Sequence, residues 1–314
     1  MRKTKNIFIA VLSLALALFI GACVLAIANH YKKLAENDVR DTLEFGVGEE
    51  ARIIILAGQS NAEGISFGEY LKNGVTPEQY EKYQSGFENV YINNYSTLKG
   101  TASGFVPCKM GYGVTDDYFG PELGLAEKLS ELYPGEKFYI VKYAWSGTAL
   151  HDLWRSPSAG GMVGQLYSGL IKYVKQSINY LEQKNYKVKI EAMCWMQGES
   201  DSIALELAEE YASNLNSFIS DVRTELRSYA SQNGIAFVDA YISDSYFWTY
   251  YLTINSAKQA VADLSHINTV IDTISHGLTV KNEPAEEPDL AHYDSLSEIK
   301  LGHLFAEECA KFFD

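Results

Sequence analysis

The run Arg52-Ile53-Ile54-Ile55-Leu56-Ala57, stopped by Gly58, constrains the fold more than any other stretch of the chain. A strand with one wet face alternates apolar and polar residues, so a run that is apolar at every position from Ile53 to Ala57 needs cover on both faces. Three further runs are similar: Phe138-Tyr139-Ile140-Val141-Lys142-Tyr143, Ile190-Glu191-Ala192-Met193-Cys194-Trp195 and Ile235-Ala236-Phe237-Val238-Asp239. Helical stretches separate them. Pro121 to Leu132 has Pro at a first-turn position, Tyr167 to Gln183 is amphipathic, and Ala204 to Ala230 carries apolar residues at helical spacing. Asn268 to Ile274 is a candidate fifth strand, and Ser295 to Phe313 a last amphipathic helix that Ser295 or Ser297 could cap. Strands alternating with helices predict a single α/β domain, a mostly parallel sheet between two helical layers. Residues 68 to 120 show no clear period and are expected to form a long excursion from the sheet.

What precedes the domain reads differently. Met1-Arg2-Lys3-Thr4-Lys5 is followed by an uncharged run from Ile7 to Ala28. At ~1.5 Å per residue that run is roughly 33 Å of helix, enough for a ~30 Å hydrocarbon layer. The positive residues come first, so the positive-inside rule sends everything after Lys33 outward. Residues 1–33 are therefore expected to be a membrane anchor or signal segment. Ala26-Ile27-Ala28 resembles a signal-peptidase site and Ile20-Gly21-Ala22-Cys23 loosely resembles a lipoprotein box, which leaves open whether the segment is retained. Residues 34–50, rich in Asn, Asp and Glu, read as a polar stalk, and 51–314 as the domain.

Charge narrows the partners. With 26 Lys and Arg against 40 Asp and Glu, the net charge of −14 repels phosphate backbones, so nucleic acid is not an expected partner. Cys108, Cys194 and Cys309 are too few for a disulfide framework and allow at most one intrachain bridge. Stability has to come from the core.

In parallel sheets ligand sites lie beyond the carboxyl ends of the strands. The residues there are Gly58-Gln59-Ser60-Asn61-Ala62-Glu63-Gly64, Ala144-Trp145-Ser146-Gly147-Thr148 and Met196-Gln197-Gly198-Glu199-Ser200-Asp201; Asp289-Leu290-Ala291-His292 stands near the C-terminus. A serine at a strand end reacts only when a base takes its proton and donors hold the oxyanion that follows. Ser60 is the candidate nucleophile, His292 the base and Asp289 the group that holds the imidazole. The N–H groups of Ser60 and Gly147 and the side-chain amide of Gln197 are the candidate oxyanion hole. Gln59, Asn61, Glu199 and Asp201 would support it. Glu199 and Asp201 also admit a reading as a glycosidase-like acid and base, against which stands that of buried carboxylates accepting backbone bonds. Trp145, His151 and Trp154 are candidate substrate contacts, since aromatic faces suit sugar rings as well as they suit a core. Ser60 alone could equally be a helix N-cap.

Taken together, these blocks resemble the SGNH (GDSL-type) hydrolases, in the branch of sialate O-acetylesterases and acetylxylan esterases. That branch shows Gly-Gln-Ser-Asn, a Gly-Gly-Thr-like second block, Trp-x-Gln-Gly-Glu-x-Asp and a terminal Asp-x-x-His. The matches are Gly58 to Asn61, Ser146-Gly147-Thr148, Trp195 to Asp201 and Asp289 to His292. The resemblance spans roughly residues 51 to 313 and implies a three-layer α/β/α fold, no metal or other cofactor, and hydrolysis of acetyl esters on a glycan through an acetyl-serine. Ala62 stands where Met is usual and Ser146 where the second block usually starts with Gly. The rival readings are a carbohydrate-binding surface protein that kept the fold without the chemistry, and a lipase or thioesterase of the same superfamily.

Overall fold

The computed structural model describes residues 43–96, 100–101 and 104–313. The 1–33 leader and the stalk as far as residue 42 lie outside them. Residues 43 to 49 do not behave as a stalk. Leu43 is buried, Gly46 N–H donates to the Lys184 carbonyl, and the Tyr186 hydroxyl donates to the Glu44 carbonyl, so this stretch packs on the domain.

Six parallel strands form the sheet: β1 (Glu50–Gly58), β2 (Phe87–Ser96), β3 (Phe138–Ala144), β4 (Lys187–Met196), β5 (Ala236–Ala240) and β6 (Asn268–Ile271). Their order across the sheet is β6-β5-β4-β1-β3-β2. Short segments Gly100–Thr101 and Val106–Cys108 pair antiparallel with β2. β1 is central, in register with β3 from Arg52 opposite Phe138 to Gly58 opposite Ala144, and with β4 on its other side. Chain order reverses at this strand, with β3 on one side and β4 on the other, which opens a crevice above its carboxyl end.

Besides a single turn at Gly68–Leu71, the α-helices are α1 (Ser60–Glu63), α2 (Pro77–Ser85), α3 (Glu122–Leu132), α4 (Gln165–Gln183), α5 (Leu205–Leu226), α6 (Tyr251–Ala262) and α7 (Ser295–Ala310). Thr76 caps α2 with a reciprocal box: its hydroxyl accepts from Gln79 N–H and the Gln79 side chain accepts from Thr76 N–H. In α7 neither candidate serine caps the helix. Asp294 is the N-cap, Ser295 donates to Glu283 through both N–H and Oγ, and Ser297 Oγ accepts from Thr279 N–H. The α3 and α7 helices meet where Gly124 and Gly302 lie side by side. A Cβ on Gly124 would fall 2.0 Å from the Ile299 carbonyl oxygen, so the close crossing requires glycine.

Two elements differ from the expectation. Phe87–Ser96, placed by its sequence in an aperiodic excursion, is a sheet strand, and Tyr251–Ala262 is a helix that the apolar pattern did not reveal. In β2 the polar Asn93 and Asn94 point into the interior. Asn93 bonds Ser177 Oγ and the Tyr173 hydroxyl, and Asn94 donates to the Tyr112 carbonyl. These partners lie on a distant helix and loop, so a local pattern could not show that the side-chain oxygen and amide of Asn93, and the amide of Asn94, find partners inside; among the described residues Asn94 Oδ1 is buried without one.

Candidate active site

Everything at the site hangs from the end of β1. At Gly58 (φ +145°) a Cβ would stand 1.9 Å from the Met196 carbonyl oxygen, so only glycine lets β1 and β4 close together there. Gln59 follows, donating its N–H to the same carbonyl, and Ser60 opens α1. Ser60 N–H starts a helix and has no partner among the described residues.

The second donor comes from the turn after β3. Gly147 takes φ +68° on an exposed turn with nothing within 4 Å of where its side chain would be, so its glycine serves the backbone conformation. Its N–H is also unpartnered among the described residues. Glu63 fixes this turn: one oxygen accepts from Ser146 N–H at 2.8 Å and from Ser146 Oγ at 2.6 Å. The serine that replaces the usual glycine of this block therefore adds a second bond to a carboxylate already there. Below it Lys142, buried in β3, donates to the Glu63 and Tyr112 carbonyls and pairs with buried Glu122 at 2.6 Å.

Asp289 and His292 are brought together. His292 Nδ1 lies 2.9 Å from Asp289 Oδ2, with Asp289 Oδ1 accepting from Ala291 N–H. The imidazole bond holds the Asp289 carboxyl below its usual range, against a smaller opposing effect of burial. Asn61 joins this pair to the nucleophile loop. Its Oδ1 accepts from Tyr293 N–H at 3.1 Å, and its Nδ2 reaches the Ala291 carbonyl at 3.4 Å, so the residue after Ser60 grips the chain on both sides of His292. No hydrogen bond joins Ser60 Oγ to the imidazole. Such bonds are commonly long in unliganded sites and tighten with substrate.

Glu199 and Asp201 are wholly buried and hold loops. Glu199 accepts from Asn61 Nδ2 at 2.7 Å, while Asp201 accepts from Leu150 N–H, His151 N–H and Gln197 Nε2. Desolvation pushes both carboxyls up. Asp201 thus accepts backbone bonds as expected, whereas Glu199 holds the Ser60 loop through the Asn61 side chain, and both are buried where a glycosidase pair would face solvent.

Gln197 departs from its expected role. Its side chain is fully buried and its Nε2 is committed to Gln59 Oε1, the Thr148 carbonyl and Asp201 Oδ2, at 3.2, 3.0 and 2.6 Å. An amide with two hydrogens and three acceptors has none left for an oxyanion. Of the three candidate oxyanion donors, that leaves the unpartnered backbone amides of Ser60 and Gly147. Trp154 is corrected too, because it lies in the core against Trp195 and Tyr143 with its indole N–H on Thr148 Oγ1. Trp145 is half-buried and stacks on Tyr95. His151 stays accessible beside Glu210, with Nδ1 3.0 Å from its carboxylate. Sequence reasoning passed over Glu63 and Lys142. A lysine inside an apolar strand was the available signal, since a buried cation needs an anionic partner.

One family profile, described as carbohydrate esterase, sialic acid-specific acetylesterase, matches residues 50–311. The chain belongs to this family. It is thus an enzyme of the carbohydrate acetylesterase class. Among curated proteins none matches the sequence. Of the solved structures similar to this esterase, a protein from Arabidopsis thaliana is 19% identical with a TM-score of 0.62, over 84% of this chain and 99% of that one. NanS is 16% identical with a TM-score of 0.61, over 84% and 98%. A carbohydrate acetylesterase from Xanthomonas citri is 14% identical with a TM-score of 0.55, over 83% and 56%. At these identities the likeness establishes the fold, an α/β sandwich with a mostly parallel sheet, in agreement with the class read from the sequence.

Proposed function

We propose that this esterase removes O-acetyl groups from a glycan through a covalent acetyl-serine. Ser60 Oγ attacks the ester carbonyl while His292 takes its proton, and the oxyanion is received by the N–H groups of Ser60 and Gly147. Collapse of the tetrahedral species returns the proton to the sugar oxygen that leaves. Water, activated by the same imidazole, then releases acetate. Asp289 fixes the tautomer that presents Nε2 and stabilises the imidazolium. The observation that carries this reading is the Asn61 clamp, which ties the loop bearing the Asp289–His292 pair to the residue beside Ser60.

The test is acetate release from O-acetylated oligosaccharides by wild type and Ser60→Ala. The variant should keep its fold and lose activity by about 10⁶ in kcat. Retention of more than about a hundredth of the activity would remove Ser60 from the role. Export rests on the apolar run from Ile7 to Ala28: the native protein should sediment with membranes if the segment is retained, or appear in the medium if it is cleaved. Native protein found only in the cytosol would refute export.

A further inference from the structure

Past the end of β5 the chain makes a tight turn that places large rings in water. Tyr246 is 74% exposed and Phe247 44% exposed, with ring centroids 4.4 Å apart, and Phe247 in turn lies 6.2 Å from half-buried Trp248. The turn is braced: Trp248 N–H donates to the Ser245 carbonyl and Phe247 N–H to Ser245 Oγ. It is also fastened to the site. Tyr250 N–H bonds the Ser202 carbonyl, next to Asp201, and Lys281 pairs with Asp244 across to the loop that leads to Asp289 and His292. The rings therefore stand on the same edge of the sheet as Ser60, on the side of the catalytic histidine. Leaving two such faces in water forgoes their burial, which is the mark of a surface that meets a partner.

The charges on this edge limit that partner. Among the described residues of the loops after β1, β3, β4, β5 and β6, the lysines and arginines are Lys72, Arg155 and Lys281. Lys72 is held by Glu69 at 2.6 Å. Arg155 braces its own loop through the His151 and Gly160 carbonyls and faces Glu210, and Lys281 is held by Asp244. The acids Asp152, Glu286, Glu287 and Asp289 stand exposed on these loops. A sugar carboxylate would find repulsion there and no uncommitted cation. An uncharged sugar ring, whose C–H face packs on aromatic rings, fits both observations.

We propose that Tyr246 and Phe247 form a stacking subsite for an uncharged sugar ring of the glycan that carries the acetyl ester. The proposal rests on the esterase reading above for what is bound, but binding tests it without turnover. In the Ser60→Ala background, affinity for an O-acetylated neutral xylo-oligosaccharide is measured by calorimetry with and without Tyr246→Ala plus Phe247→Ala. The double change should weaken binding by about tenfold, and Phe247→Tyr should not. In the active enzyme the same double change should raise KM for the oligosaccharide and leave p-nitrophenyl acetate turnover unchanged. Both side chains are exposed, so an unaltered melting temperature is expected and serves as the folding control. Unchanged affinity in a folded double variant overturns the subsite. So does tighter binding of an O-acetylated anionic oligosaccharide that weakens as salt is added. Failure of wild type to release acetate would overturn the esterase reading alone.

Discussion

Replacing Gln197 by methionine keeps length and volume while removing an amide whose donors and acceptor all have named partners. Asp201 Oδ2 loses a 2.6 Å donor, the Thr148 carbonyl and Gln59 Oε1 each lose one, and the Tyr211 hydroxyl loses an acceptor at 3.0 Å. Gln59 Oε1 keeps the N–H groups of Gly198 and Ser200, and Tyr211 keeps the Gln197 carbonyl. The uncompensated losses fall on Asp201 and Thr148, both inside the protein. At ~1 to 3 kcal/mol for each buried group left short of a partner, the variant should be ~3 kcal/mol less stable. For a domain of this size that is roughly 6 to 12 °C in melting temperature. Turnover per folded molecule should fall by less than about tenfold, because the amide never faces the oxyanion. A direct oxyanion donor would behave in the opposite way, with ~10² to 10³ lost in kcat and little lost in stability. Melting temperature and kcat measured on one preparation decide the matter, and a hundredfold loss of kcat at unchanged stability would refute the reasoning. Gln197→Glu adds a pH test. A second carboxyl against Asp201 must hold a proton in the folded state, so its folded pKa lies above its unfolded value and stability should fall as pH rises above about 4.3. A flat difference from wild type between about pH 4 and 7 would mean that the two groups do not meet.

His292→Ala should cost more activity than Asp289→Asn, since the latter keeps a base in the wrong tautomer; equal, near-normal rates in both would place the pair elsewhere. Because the Asp289 carboxyl is held below its usual range, its contribution to stability is complete above about pH 4 and is lost as pH falls through the lowered value. The stability gap to Asp289→Asn should therefore narrow on acidification, and a gap that widens would contradict the bond. Glu63→Ala removes both bonds that hold Ser146 and should cut kcat up to about 10²-fold through misplacement of Gly147, whereas a normal rate would show that the turn holds itself. Lys142→Met strips the buried Glu122 of its cation and should destabilise by about 3 to 5 kcal/mol, read by denaturant titration.

The sheet's centre was legible because β1, β3, β4 and β5 are buried on both faces, so local composition and tertiary environment agree. β2 was not, since it buries Asn93, whose partners Ser177 and Tyr173 are far away in sequence, and Asn94, whose amide reaches the Tyr112 carbonyl across a loop. The site's backbone was legible for a related reason. Gly58, Gly147 and the Asp289-to-His292 spacing record local geometry, a close strand approach, a positive φ and a one-turn reach. What a side-chain amide bonds to is not local. Gln197 stands after a strand just as an oxyanion donor would, and only the placement of Gln59, Thr148 and Asp201 around it shows that its hydrogens are spent. The tryptophans of the second block divide in the same way: Trp154 turns inward to Thr148 while Trp145 stays near the surface, a difference decided by the path of the loop.

Beneath the site lies a plate of buried polar side chains, Gln59, Asn61, Glu63, Gln197, Glu199 and Asp201, in a place where most of the interior is apolar. Each joins a different loop. Asn61 connects the nucleophile turn to the histidine loop, Glu63 connects it to the Gly147 turn, and Asp201 connects the loop after β4 to Leu150 and His151. Apolar contacts tolerate slippage by fractions of an ångström, whereas hydrogen bonds to a fixed carboxylate lose energy quickly with distance and angle. The proposed catalysis by backbone amides demands that tolerance be small, because the donors would have to point already at an oxyanion that exists only in the transition state. The carboxylates at the ends of β1 and β4 are therefore best understood as the means by which loops that start from separate strands are held in one geometry. Their cost shows in Glu199 Oε2, buried and without a partner, and in the upward push that burial gives both Glu199 and Asp201.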